Sequence, residues 1–158
     1  MNWTFALVFA TTYIVLYVAY SLIPDSWLAD FVYNIGIVGP AKVVVNGLAP
    51  TEHTVGVHNR LESARATLSI VRGCDGSGVI FLLIAAIVAY RSSWKRTLLG
   101  LLGAVMLISL LNLIRIVVLY FIQAYHAPWF ESMHVYFIPT ATILLGTLYF
   151  ALWTARVA

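Results

Sequence analysis

The sequence predicts an all-α integral membrane protein with about four transmembrane helices, and three observations carry that reading. Hydrophobic residues make up 62% of the 158 residues and charged residues only 9%, against about 45–50% and about 25% in an ordinary globular domain. The apolar residues gather in runs close to the ~20 that cross a bilayer. The basic residues are not clustered as a nucleic-acid surface would be; they lie in short connections, where they set membrane orientation. The partner this composition requires is a lipid bilayer, and nucleic acid is excluded. The length suits a single membrane domain, 1–158.

In chain order, Trp3 to Ile23 is uncharged throughout and reads as the first span, about 3–23. No basic segment precedes this run and no small-residue cleavage site follows it, so a retained helix is expected rather than a signal peptide. Pro24-Asp25-Ser26 interrupts the pattern. From Ser26 to Val38, Trp27, Phe31 and Ile35 recur at helical spacing with Asp30 and Asn34 between them. That spacing predicts a helix lying in the membrane interface, within an extracytoplasmic loop, 24–72. A further span here is disfavoured because Asp30, Gly36, Gly39, Pro40 and Lys42 crowd the segment. Later in the loop, Thr54–His58 and Ala66–Val71 partly alternate and predict a small β-hairpin flanking the polar stretch Asn59–Arg65.

Val79 to Tyr90 is too short to cross alone, so a second span must draw on the preceding residues, over about 73–90. Arg91-Ser92-Ser93-Trp94-Lys95-Arg96 carries three basic residues and no acidic one, which places it in the cytoplasm. A third span over about 97–125 is interrupted by one charge, Arg115, and a fourth runs over about 135–155. Both termini then lie inside.

This topology brings three unusual side chains to one depth. Cys74, the sole cysteine, precedes the second span on the outer side, and His134 precedes the fourth. Arg115 lies 18 residues beyond Thr97, or ~27 Å of helix rise, near the outer edge of a ~30 Å hydrocarbon core. Each has an ordinary explanation: a packing thiol, a snorkelling arginine, an interfacial histidine. Their neighbours argue otherwise. Gly73, Gly76 and Gly78 flank Cys74 and permit close backbone approach. Arg72 and a helix N-terminus would favour the thiolate. Asn112 shares a helical face with Arg115, and Glu131 with His134, where it could orient the ring. One cysteine, with His53, His58, His126 and His134 at no familiar ligand spacing, gives no metal site, and no cofactor is expected.

Cys74-Asp75-Gly76-Ser77-Gly78 at the mouth of a membrane helix, Asn112-Leu113-Ile114-Arg115 late in the next and His134 at the head of the one after resemble the exosortase/archaeosortase family. The resemblance covers roughly Leu68 to Leu145, in a chain more compact than many members and with a looser wording around the cysteine. It implies a membrane-embedded cysteine protease or transpeptidase in a cell (inner or plasma) membrane, with its active site on the extracytoplasmic face. Its implied substrate is a membrane-anchored protein with a C-terminal sorting signal, made of a short motif, a transmembrane helix and a basic tail. An acceptor, lipid- or glycan-linked, or water, would resolve the intermediate. Cys74 is implied as nucleophile with Arg115 and His134 as catalytic partners, supported by Asn112, Glu131, Arg72 and Asp75. Two other readings fit the composition: a non-enzymatic membrane scaffold, and a small transporter or cofactor-binding subunit. Neither accounts for the convergence of thiol, guanidinium and imidazole.

Overall fold

The computed structural model describes residues 3–157. Helix α1 is Trp3–Ser21, α2 is Asp25–Leu48, α3 is Ser77–Ala89, α4 is Trp94–Tyr125 and α5 is Ala127–Arg156. Strands β1 (Val55–Val57), β2 (Arg60–Glu62) and β3 (Thr67–Ser69) lie between α2 and α3. Helices α1, α2, α4 and α5 are long and apolar enough to cross a membrane. The chain forms two compact units.

The first unit holds α1, α3, α4 up to Leu110 and α5 from Thr140. Its helices are apolar on every side, as expected of segments whose surroundings are other helices or lipid, and no residue of α1 is buried. Helix α3 packs along α1, with Tyr20 edge-on to Phe81 at 5.5 Å between ring centroids. Helices α4 and α5 meet where Trp153 lies over Gly100; a Cβ there would come within 2.6 Å of the indole nitrogen. Tyr149 Oη donates to the Gly100 carbonyl at 2.7 Å, satisfying a hydroxyl that apolar surroundings would otherwise strand. The second span expected over 73–90 is shorter in the structure. Helix α3 has 13 residues, and the residues of the cysteine motif before Ser77 form a turn.

The second unit comprises Ile23–Asp75 and Leu111–Pro139. Helix α2 runs ten residues beyond the interfacial helix read from the sequence, continuing from Val38 to Leu48. Its middle, Leu28–Val38, is π-helical, and it buries Leu28, Tyr33 and Val38, a spacing wider than an α-helix gives. Beyond Val38 the buried positions, Ala41 and Val45, return to α-helical spacing. This face carries the sheet: Gly56 fits against Val38 so closely that a Cβ would meet Val38 Cγ1 at 2.6 Å. Asn46 holds the following loop, exchanging hydrogen bonds with the Thr54 carbonyl (2.9 Å) and amide (2.8 Å).

The sheet has three antiparallel strands in the order β1-β2-β3. The polar stretch between the two expected hairpin arms is therefore not a loop, because Arg60-Leu61-Glu62 forms the middle strand. Leu61 is fully buried while its charged neighbours point outward. An open sheet cannot lie in hydrocarbon, where unpaired edge groups go unsatisfied. Since the sheet packs along α2, the length and apolarity of α2 do not by themselves make it a span.

Candidate active site

The second unit brings Cys74 and His134 together: Sγ lies 3.6 Å from Nε2, within hydrogen-bond range for sulfur. Each arrives by a distinct local device. After β3 the chain turns over Val71–Cys74, and the Cys74 amide donates to the Val71 carbonyl at 2.9 Å. Gly73 supplies the left-handed backbone of that turn (φ +84°), and Gly76 does the same two residues past the cysteine (φ +80°); a β-carbon would strain both positions. The thiol is thereby held, half-buried, in a tight turn.

His134 sits in a π-helical stretch, Met133–Phe137. Such insertions displace one residue from the regular ladder and recur at functional sites. The ring stacks almost parallel on Phe130, with centroids 5.4 Å apart and planes 8° apart. Its Nδ1 is buried and has no hydrogen-bond partner among the described residues. Glu131, expected from the sequence to orient the ring, is exposed instead.

Arg115 and Asn112 are buried on the same turn of α4, at 9% and 5% exposure. The Nε of Arg115 and the Oδ1 of Asn112 are both unpartnered. Arg115 forms no ion pair among the described residues. Burying a guanidinium without a carboxylate is costly. Arg72 is differently engaged. Its Nε donates to Asp25 Oδ1 at 2.7 Å, and the guanidinium also bonds the Ile23 carbonyl, which ties the cysteine turn to the start of α2. Asp75 follows the thiol and makes contacts of its own. His58 pairs with Asp30 at 2.6 Å, and no group of three or more potential ligands among the described residues could hold a metal.

A second polar cluster was not visible in the sequence. Glu52, in the turn after α2, is buried at 4% exposure. It accepts hydrogen bonds from the hydroxyls of Tyr125 and of Tyr120, the latter at 2.8 Å, and pairs with Arg65 Nε at 3.3 Å. The Tyr120 oxygen lies 2.7 Å from Ser63 Oγ and accepts from Thr54 at 3.3 Å. The Arg65 guanidinium covers the Tyr125 ring, 5.2 Å from its centroid.

Apolar helices enclosing a half-buried thiol–imidazole pair and a buried arginine define a helical membrane protein. A family model described as transmembrane exosortase matches residues 2–155, nearly the whole chain. The chain belongs to that family. It is thus a multi-pass membrane protein of a family of sorting enzymes that act on membrane-anchored substrates. Searches of curated proteins and of solved structures gave no match.

Proposed function

We propose that the protein is a cysteine transpeptidase or endopeptidase that cleaves a C-terminal sorting signal at the extracytoplasmic face of the membrane, through a thioester on Cys74. The observation that carries this reading is the 3.6 Å approach of Cys74 Sγ to His134 Nε2, and it is supported by Arg115, buried without an ion pair among the described residues. The imidazole takes the thiol proton, and the thiolate attacks the scissile carbonyl. The tetrahedral oxyanion then occupies the field of Arg115, a charge already desolvated and therefore effective at short range. Collapse breaks the C–N bond; His134 delivers its proton to the departing amine and leaves an acyl thioester. An amine, hydroxyl or water next gives its proton to His134, attacks the thioester, and releases the product with regeneration of the thiol. The acceptor is lipid- or glycan-linked, or is water.

The first test uses the single thiol. A membrane-impermeant maleimide added to intact cells is expected to label Cys74 from outside. Labelling near neutral pH should be faster than that of free cysteine, and both Arg115→Ala and His134→Ala should slow it to the free-cysteine rate. Labelling of the unaltered protein at the rate of free cysteine would leave no activated nucleophile and sink the mechanism.

Stacking on Phe130 gives a second expectation. With no residue bonded to Nδ1, ring packing orients His134, and packing of this type contributes about 0.5–1.5 kcal/mol. Phe130→Ala is expected to slow alkylation of Cys74 near neutral pH by about 2- to 10-fold, flattening the pH profile, and Phe130→Tyr should restore both. Loss of rate with an unshifted profile, or failure of the tyrosine to rescue, would show that Phe130 merely fills space.

A further inference from the structure

We propose that the outer edge of β3 is the docking site for the substrate backbone, which adds to the sheet as a strand running parallel to β3 and so delivers its scissile peptide to Cys74. This rests on the thiol chemistry proposed above.

The register sets which backbone groups are available. Arg60 faces Ser69, Leu61 faces Leu68 and Glu62 faces Thr67. The Ile70 amide donates to the Asn59 carbonyl at 2.8 Å, and the Ser63 amide to the Ala66 carbonyl at 2.9 Å. In an antiparallel ladder hydrogen-bonded pairs alternate with non-bonded ones. Ala66, Leu68 and Ile70 therefore bond inward to β2, and Thr67, Ser69 and Val71 turn their amides and carbonyls to the outer edge. The carbonyl of Val71 accepts from Cys74, which leaves its amide for a partner.

Three features mark this edge as built for a peptide. First, it is free of charge and proline. Proteins commonly blunt free edges with charge, proline or a covering element, whereas Ala66-Thr67-Leu68-Ser69-Ile70-Val71 carries neither charge nor proline. Strand β3 is terminal in the sheet, and Thr67, Ser69 and Val71 are exposed. Second, it ends at the nucleophile. The turn Val71–Cys74 brings those two α-carbons to within about 7 Å, so a peptide paired with Thr67, Ser69 and Val71 reaches the thiol at its next residues. Third, a cavity of ≈ 370 Å³ lined by Tyr33, Asn59, Ile70 and Val71 opens at the same strand end, with room for a substrate side chain. The orientation follows from the substrate. Residues after the scissile bond soon enter its own membrane helix, so those before it must lie along β3, and they run toward Cys74. Strand addition draws its affinity from main-chain hydrogen bonds and its selectivity from alternate side chains.

Because the affinity is carried by backbone, generic probes suffice. The full-length protein in detergent is alkylated with acetyl-tetra-alanyl chloromethyl ketone and, separately, with chloroacetamide. In both reactions the Cys74 sulfur forms a bond to the methylene carbon and chloride leaves. The expected result is at least a tenfold faster second-order rate for the peptide, after correction for the rates of the two reagents with free cysteine. N-methylation of single peptide amides should reduce that advantage about fivefold at alternate positions only, each loss being one backbone hydrogen bond. Ser69→Pro, which removes one outer-edge donor, should lower the ratio of the two rates, and Ser69→Ala should not. No peptide advantage, or N-methyl effects without alternation, would overturn strand addition. Chloroacetamide reacting no faster than with a free thiol would instead remove the activated nucleophile, a failure of the proposed function that is separately recognisable.

Discussion

Cells carrying Cys74→Ala in place of the native chain are expected to lose processing of every substrate protein. C-terminal peptide mapping of membrane and released proteins, compared with a deletion strain, is the measurement. The expected fall is at least about 10⁴-fold, the scale on which a covalent mechanism fails when its nucleophile is removed. Cys74→Ser should fail almost as completely, because a hydroxyl beside one imidazole is a far weaker nucleophile than a thiolate. Cys74 is half-buried in a turn, and its side chain meets His134, so the alanine variant should melt like the unaltered protein. This separates chemistry from folding. Arg115→Lys should also lose most activity while keeping the charge, since a point charge on a flexible stem does not reproduce the planar guanidinium. Full processing by Cys74→Ala would transfer the function to another group and restore the scaffold reading.

What could be read from the sequence depended on the distance over which each interaction acts. The membrane helices were legible because hydrophobicity is summed locally. The approach of Cys74 to His134 was foreshadowed because span length and loop charge assign a residue an expected depth before any contact is known. The stacking of Phe130 on His134 lies four residues apart on one helix face and could have been found from that spacing. Three features had no such signal. The π-helical stretches in α2 and before Ile138 follow from tertiary packing, and nothing in Leu28–Val38 marks the wider buried spacing. The middle strand was hidden because Arg60 and Glu62 are charged, although the alternation around the buried Leu61 was present. The Glu52 cluster was out of reach for a simpler reason: its tyrosine donors lie 68 and 73 residues further along the chain.

That cluster gives the second large effect, on stability. Glu52 is a carboxylate taken out of water, and a carboxylate in that position must be fully hydrogen-bonded or it becomes a liability. The Tyr125 hydroxyl, then that of Tyr120, holds its pKa below the ordinary value of 4.5. Arg65 and Ser63 act in the same direction, and burial opposes them. A carboxyl whose folded-state value is depressed stabilises the fold above its unfolded value, and the contribution is lost as pH falls through the folded value. The unaltered protein should therefore lose stability progressively below about pH 4.5, while Glu52→Gln, already weaker at pH 7, should change less over the same range, so that the two curves converge in acid. Tyr120→Phe tests the donor side. It removes one hydroxyl from a fully buried ring, leaves Glu52 Oε2 with only the 3.3 Å hydrogen bond from Ser63 and takes away the acceptor of Thr54, a loss of about 1–3 kcal/mol. Thermal unfolding in detergent, followed by retention on size exclusion, reads both. Because Glu52 and Ser63 flank the sheet while Tyr120 and Tyr125 lie on α4, the cluster fastens the strand that leads to Cys74 onto the helix that carries Arg115. Weakening it should also lower the alkylation rate of Cys74 at temperatures where the fold is intact. A Tyr120→Phe protein as stable as the original, with an unchanged acid limb, would show that solvent replaces the hydroxyl and that the clasp contributes nothing.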